Sequence, residues 1–162
     1  MRVKDQNWAF GYGQHSRGID PLADEFKKLP FSDLGKIRVF NAPAEKLLTE
    51  LINQFDVCLC LNVLDHCHDP GAVIQNMYQY LRTPGLVYLW TDIGHGDAIH
   101  DADMTAQDVR RMVEETGFAV DRMTIGVDPY DFATQDKPNQ MRCGVAVLEG
   151  VTCVVIKASK RT

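Results

Sequence analysis

The stretch FDVCLCLNV, Phe55 to Val63, constrains this chain more than any other. A strand with one wet face alternates apolar and polar residues, whereas a nearly continuous apolar run marks a strand buried on both faces, as in a parallel sheet covered by helices. The segment just after it raises a second question. LCLNVLDHCHDP places two cysteines, two histidines and two aspartates within twelve residues. Zinc needs three or four converging ligands, and Asp65, His66 and Cys67, being consecutive, cannot all point one way. His66 and His68 are expected to face solvent or to cap a first helical turn. Cys58 and Cys60 stand two apart on a strand face, where a thiol behaves as a small hydrophobe. No neighbouring cation would turn either into a reactive thiolate. The stretch reads as a buried strand that turns into a helix starting at Asp69-Pro70, with no metal site.

The rest of the chain supplies partners for such a strand. SRGIDP is a short apolar step ending in Asp20-Pro21, and LADEFKKL carries Leu22, Phe26 and Leu29 at helical spacing before Pro30 stops it. KIRVFNAP reads as a strand, and AEKLLTELINQF as an amphipathic helix on Leu47, Leu48, Leu51 and Ile52. After the central strand, DPGAVIQNMYQYLRTPG predicts a helix closed by Pro84-Gly85, and LVYLWTDI a second buried strand in which Tyr88 and Trp90 pack in the core. A loop, GHGDAIHDADM, leads to Thr105 as N-cap and a helix ended by Gly117. FAVDRMTIGVD and MRCGVAVLEGVTCVVIKAS bring strands together at the end. Strand and helix alternate until then, so the expectation is one α/β layered domain over residues 1–162, with 1–16 as an atypical N-terminal segment. Its sheet is mainly parallel, with an antiparallel strand near the C-terminus.

Composition narrows the function classes. At 162 residues the chain fits a single core. A formal net charge of −5 argues against a dedicated nucleic-acid binder, which shows a basic patch or excess. No apolar run approaches the ~20 residues that span a bilayer, and MRVKDQNWAF lacks the apolar core of a secretory signal. Five cysteines at irregular spacing are expected to be reduced thiols of a cytoplasmic protein.

With these elements in order, the run FDVCLCLNVLDHCHDPGAVIQNMYQYLRTPGLVYL resembles the middle of a class I S-adenosylmethionine-dependent methyltransferase. Phe55-Asp56-Val57 opens the strand, His66 stands in the turn, and Pro84-Gly85 precedes the next strand. MTAQDVRRMVEETGFAV resembles the helix and strand after the substrate loop, and GIDP, Gly18 to Pro21, the end of the family's second strand. The resemblance covers residues 17 to 158. It implies a Rossmann-like methyltransferase sandwich that binds S-adenosylmethionine and methylates a small-molecule substrate. Asp20, with Pro21, would hold the cofactor ribose. Ala44 and Glu45 would lie beside the adenine, and Asn62, Val63, Leu64 and His66 would border the methionine portion. His95 and His100, in the loop after the next strand, would serve as base. Ligands of open α/β sheets sit outside the carboxyl ends of strands, where all these residues fall.

Two departures from the family pattern stand out. Only 17 residues precede Gly18, and they hold no buried-strand run before Gly11-x-Gly13, so the first strand and its glycine-rich loop are expected to be missing. Pro43 stands where many members carry an acidic residue for the adenine amino group. An open strand edge invites a partner strand, so a homodimer is expected. Other readings stay open at this stage. Asp20 can simply cap the following helix, His95 and His100 can be solvated loop residues or serve a metal-dependent hydrolase, and the domain can be a non-catalytic binding or interaction module.

Overall fold

The computed structural model describes residues 16–28, 37–94, 103–127 and 152–161. The chain forms two compact units, Met1–Lys46 and Leu47–Thr162.

In the first unit, β1 (Arg17–Ile19) runs parallel to β2 (Arg38–Phe40), with Gly18 opposite Val39. The helix expected over LADEFKKL is a single turn, α1 (Ala23–Phe26). Ala23 is its buried residue, whereas Leu22 and Phe26 are exposed. One turn fixes several dihedrals for few hydrogen bonds, and here only Ala23 packs inward.

The second unit is built on a four-stranded sheet in the order β3-β4-β6-β5. β3 (Phe55–Leu61) pairs parallel with β4 (Leu81–Ile93), and β6 (Thr152–Lys160) runs antiparallel between β4 and β5 (Ala119–Val127). The antiparallel C-terminal strand is as the sequence predicts. So is the start of α2 (Pro70–Tyr80), where Asp69 accepts from the Ala72 N–H at 2.9 Å and Pro70 takes the first helical position. The helix α3 (Ala106–Glu115) begins with a full capping box at Thr105 and Asp108. It ends at Gly117, whose φ of +106° suits glycine. Lys160 at the end of β6 donates to the carbonyls of Tyr78 and Leu81, 3.0 and 2.8 Å away, satisfying the C-terminus of α2.

Four expectations are corrected. The helix predicted over residues 44–55 is a run of turns with one 3₁₀ turn at Thr49–Leu51. Its backbone donors are captured by α2 instead: Leu48 N–H donates to the Tyr80 hydroxyl, Asn53 N–H to Gln79 O and Gln54 N–H to Tyr80 O. Pro84-Gly85 does not close α2, because β4 begins at Leu81 and the register against β3 jumps from Phe55↔Leu81 to Val57↔Leu86. Pro84 has no N–H for a ladder, so the stretch bulges out.

The third correction concerns β3, which is not buried on both faces. Cys60 points to the side covered by α2, while Val57, Leu59 and Leu61 are 46%, 42% and 37% exposed. Fourth, Tyr88 lies opposite Leu59 on the same open side and is itself exposed, and Trp90, opposite Leu61, is only half-buried. Neither belongs to the core. Among the described residues α2 and α3 pack on the other face, against Val87, Leu89, Val154 and Ile156.

Candidate functional site

The ends of β1 and β3 decide where chemistry-bearing residues fall. Asp20 follows β1 directly, and its backbone N–H donates to Phe40 O at 3.1 Å. Its Oδ1 accepts from the Leu22 N–H at 2.7 Å, so one carboxylate oxygen caps the turn into α1. Pro21 is exposed beside it. Ala44 and Glu45 are half-buried in the turn after β2, where Lys46 N–H closes onto Pro43 O at 3.1 Å. Asn41 donates to Asp24 Oδ2 at 2.6 Å, which ties the exit of β2 to α1.

At the end of β3 the chain turns sharply. Asn62 N–H still donates to Trp90 O, at 2.7 Å, yet its φ is +54°, a left-handed conformation that asparagine tolerates better than most residues. Asn62 Oδ1 is buried and has no hydrogen-bond partner among the described residues. A 3₁₀ turn, Leu64–His66, follows. Leu64 is fully buried, so only its backbone is left for a ligand, whereas Val63 and His66 are exposed.

Beneath this turn lies a pairing that the residue pattern does not announce. Asp65 and Thr91 are both buried, at 1% and 0% exposure. The Thr91 hydroxyl donates to Asp65 Oδ1 at 2.8 Å, and the Asp65 backbone N–H donates to Thr91 Oγ1 at 3.2 Å. The other carboxylate oxygen, Oδ2, stands 3.6 Å from His66 Nε2. The trace left in the sequence is slight: Thr91 is a polar residue inside the apolar run of β4, and Asp65 lies in the turn after β3.

The cysteines fall as the sequence suggests. Burial pushes the thiols of Cys58 and Cys60 up to about 12, and Cys67, Asp65 and Cys58 near Cys60 add to its shift. Both stay protonated at neutral pH and are poor nucleophiles. His68 is exposed in the same turn. Among the described residues no group of three or more histidine, cysteine or acidic side chains is arranged to hold a metal ion. Likewise no helix there is long and apolar enough to cross a membrane.

His95 and His100 lie outside the described residues, as do Gly11 and Gly13. Gly94 N–H, at the end of the preceding strand, donates to Met104 O at 3.0 Å.

Residues 7–89 match the sequence profile of a family described as "Methyltransferase domain". A 48-residue stretch is 42% identical to the ubiquinone biosynthesis O-methyltransferase of Pseudomonas putida strain F1, covering 30% of this chain and 21% of that protein. The chain thus spans about a fifth of the length of the curated relatives it matches. Among solved structures, an S-adenosylmethionine-dependent methyltransferase from Mesorhizobium loti aligns with a TM-score of 0.63 at 16% identity, over 96% of this chain and 85% of that one. The 1,6-didemethyltoxoflavin-N1-methyltransferase of Burkholderia thailandensis, solved with 1,6-didemethyltoxoflavin and S-adenosylhomocysteine, aligns with a TM-score of 0.59 at 15% identity, over 99% and 67%. At such identities the likeness is one of fold.

Proposed function

The chain belongs to the methyltransferase-domain family, with the class I fold, and on that premise we propose that it binds S-adenosylmethionine and methylates a small molecule. One observation carries the proposal: Asp20, Pro21, Ala44, Glu45, Asn62, Val63, Leu64 and His66 all lie inside the stretch that matches the family.

Within each unit, the residues suit a part of the cofactor by their own chemistry. Asp20 keeps a carboxylate oxygen beyond the one that accepts from the Leu22 N–H and would accept from a ribose hydroxyl. Asn62 Oδ1, a buried acceptor without a donor among the described residues, suits an ammonium or hydroxyl group. Ala44 and Glu45 would flank the adenine by their turn. When bound, the cofactor supplies an electrophilic methyl on a positively charged sulfur. The protein's part is to align that methyl with a nucleophile, for which positioning supplies most of the rate. The acceptor is an oxygen, nitrogen or carbon nucleophile of a small molecule. The sequence reading gives its proton to His95 or His100.

β3 ends its sheet among the described residues, and an uncovered strand edge favours pairing with another chain. The same reading therefore includes a homodimer in a reducing, cytoplasmic setting, which light scattering at micromolar concentration checks.

Ultraviolet crosslinking with methyl-tritiated S-adenosylmethionine tests the function. Label is expected in peptides that contain residues 41–45 or 62–66, and excess S-adenosylhomocysteine is expected to compete it away. Label confined to other peptides, or insensitive to the competitor, contradicts the proposal.

A further inference from the structure

The open side of the four-stranded sheet changes character from one edge to the other. The register sets Leu59, Tyr88, Lys157 and Arg122 in one row, running from β3 through β4 and β6 to β5. The next row runs Leu61, Trp90, Val155 and Thr124. Both rows start apolar on β3 and end polar on β5. Over the polar half, Tyr88, Arg122, Thr124, Val155 and Lys157 line a groove of about 350 Å³. That is the size of a small-molecule site. Its apolar floor is accessible, with Tyr88 37% and Val155 40% exposed.

The charges over this floor are unbalanced. Arg122 and Lys157 stand directly opposite one another on neighbouring strands, and like charges so placed repel. Among the described residues neither makes an ion pair or a hydrogen bond. The nearest approach to a partner is the Tyr88 ring, whose centroid lies 6.0 Å from Lys157 Nζ. The carboxylate adjacent in sequence, Asp121, is already engaged by Arg161 at 2.6 Å and Ser159 at 3.2 Å. Two facing cations without an anion between them, in a chain of net charge −5, favour an anion that comes from outside.

We propose that this groove binds a small planar aromatic acid. Its carboxylate sits between Arg122 and Lys157, and its ring lies on Tyr88 and Val155. A guanidinium fork matches the two oxygens of a carboxylate, and the Thr124 hydroxyl can donate to the same group. A neutral ligand leaves the two cations facing each other, and an ion without an apolar body leaves the floor open to water. The site lies on the face of the sheet, whereas the cofactor residues fall at the ends of strands, so the proposal does not depend on the methyltransferase reading.

NMR titration with 2-naphthoate as the probe tests it. A ligand of this size at ordinary efficiency is expected to bind with a dissociation constant on the order of 1 mM. Amide shifts are expected to cluster at residues 122–124 and 155–157. Neutral 2-naphthamide is expected to bind about threefold more weakly, and Arg122→Gln and Lys157→Gln each to weaken naphthoate by about the same factor, the scale of one exposed ion pair. Tyr88→Leu is expected to weaken both probes alike. Equal affinity for naphthoate and naphthamide, or shifts centred elsewhere, overturns the proposal. So does unchanged naphthoate binding in both glutamine variants. Displacement of naphthoate by S-adenosylhomocysteine would put the probe in the cofactor's place and also overturn it. Loss of the same amide signals on raising the protein concentration alone would give the face to a second copy of the chain, against the proposal.

Discussion

Thr91 and Asp65 exchange two hydrogen bonds through a single hydroxyl: Thr91 Oγ1 donates to Asp65 Oδ1 at 2.8 Å and accepts from the Asp65 backbone N–H at 3.2 Å. One side chain on β4 thereby fixes both the backbone and the carboxylate of the turn that ends β3. Valine has the shape of threonine without the hydroxyl, so Thr91→Val leaves a buried donor and a buried carboxylate oxygen without this partner. The expected loss is about 1–3 kcal/mol in urea unfolding, with an unchanged slope. Thr91→Ser keeps both bonds and is expected to lose less. A valine variant as stable as the parent contradicts this role for the hydroxyl.

Burial holds the thiols of Cys58 and Cys60 at about 12. Since the thiolate is the reacting form, neither is expected to react with iodoacetamide at pH 8 on a timescale of minutes in the folded protein. Both are expected to label at the rate of free cysteine in denaturant. Rapid labelling of either in the native state argues against the packing of β3 on α2.

The capping box at the start of α3 gives a pH-dependent prediction. The Thr105 hydroxyl and then its backbone N–H, both donating to Asp108, hold that carboxyl below its ordinary value of 3.8, with Arg111 assisting. A carboxyl lowered on folding adds stability that is present above its unfolded value and is lost as pH falls through the folded one. Asp108→Ala is therefore expected to lower the melting temperature at pH 7 and to have little effect below pH 3. Thr105→Ala is expected to cost about 1 kcal/mol at pH 7. Equal shifts for Asp108→Ala at pH 7 and pH 2.5 contradict the assignment.

At Asp20, capping and cofactor binding separate by a conservative change. Asp20→Asn keeps an oxygen for the Leu22 N–H, now accepted at 2.7 Å, but removes the charge and one acceptor. The expected outcome is an unchanged melting temperature with S-adenosylhomocysteine bound about tenfold more weakly, the equivalent of one hydrogen bond to a charged group. Unchanged affinity removes Asp20 from the site.

Much of this fold is legible in the sequence because local rules carry it. Asp69-Pro70, Thr105 and Gly117 are capping signals, and each marks the helix end it predicts. The antiparallel β6 follows from strands that meet without a helix between them. What the sequence hides is settled by tertiary competition. Residues 44–55 have helical spacing, yet the C-terminus of α2 takes their backbone donors. The apolar run of β3 implies two covered faces, but apolarity does not say what covers each, and Val57, Leu59 and Leu61 stand open. The Thr91–Asp65 pair depends on the β3–β4 register, in which Leu61 lies opposite Trp90. No spacing rule within either strand contains that number.

Calorimetric titration with S-adenosylhomocysteine reads cofactor binding without a methyl acceptor. Saturable heat is expected, with a dissociation constant at or below ~100 μM, about −5.5 kcal/mol, weakened by Asp20→Asn and indifferent to Asp108→Ala. No heat at that ligand concentration, from protein whose unfolding transition is intact, would contradict it.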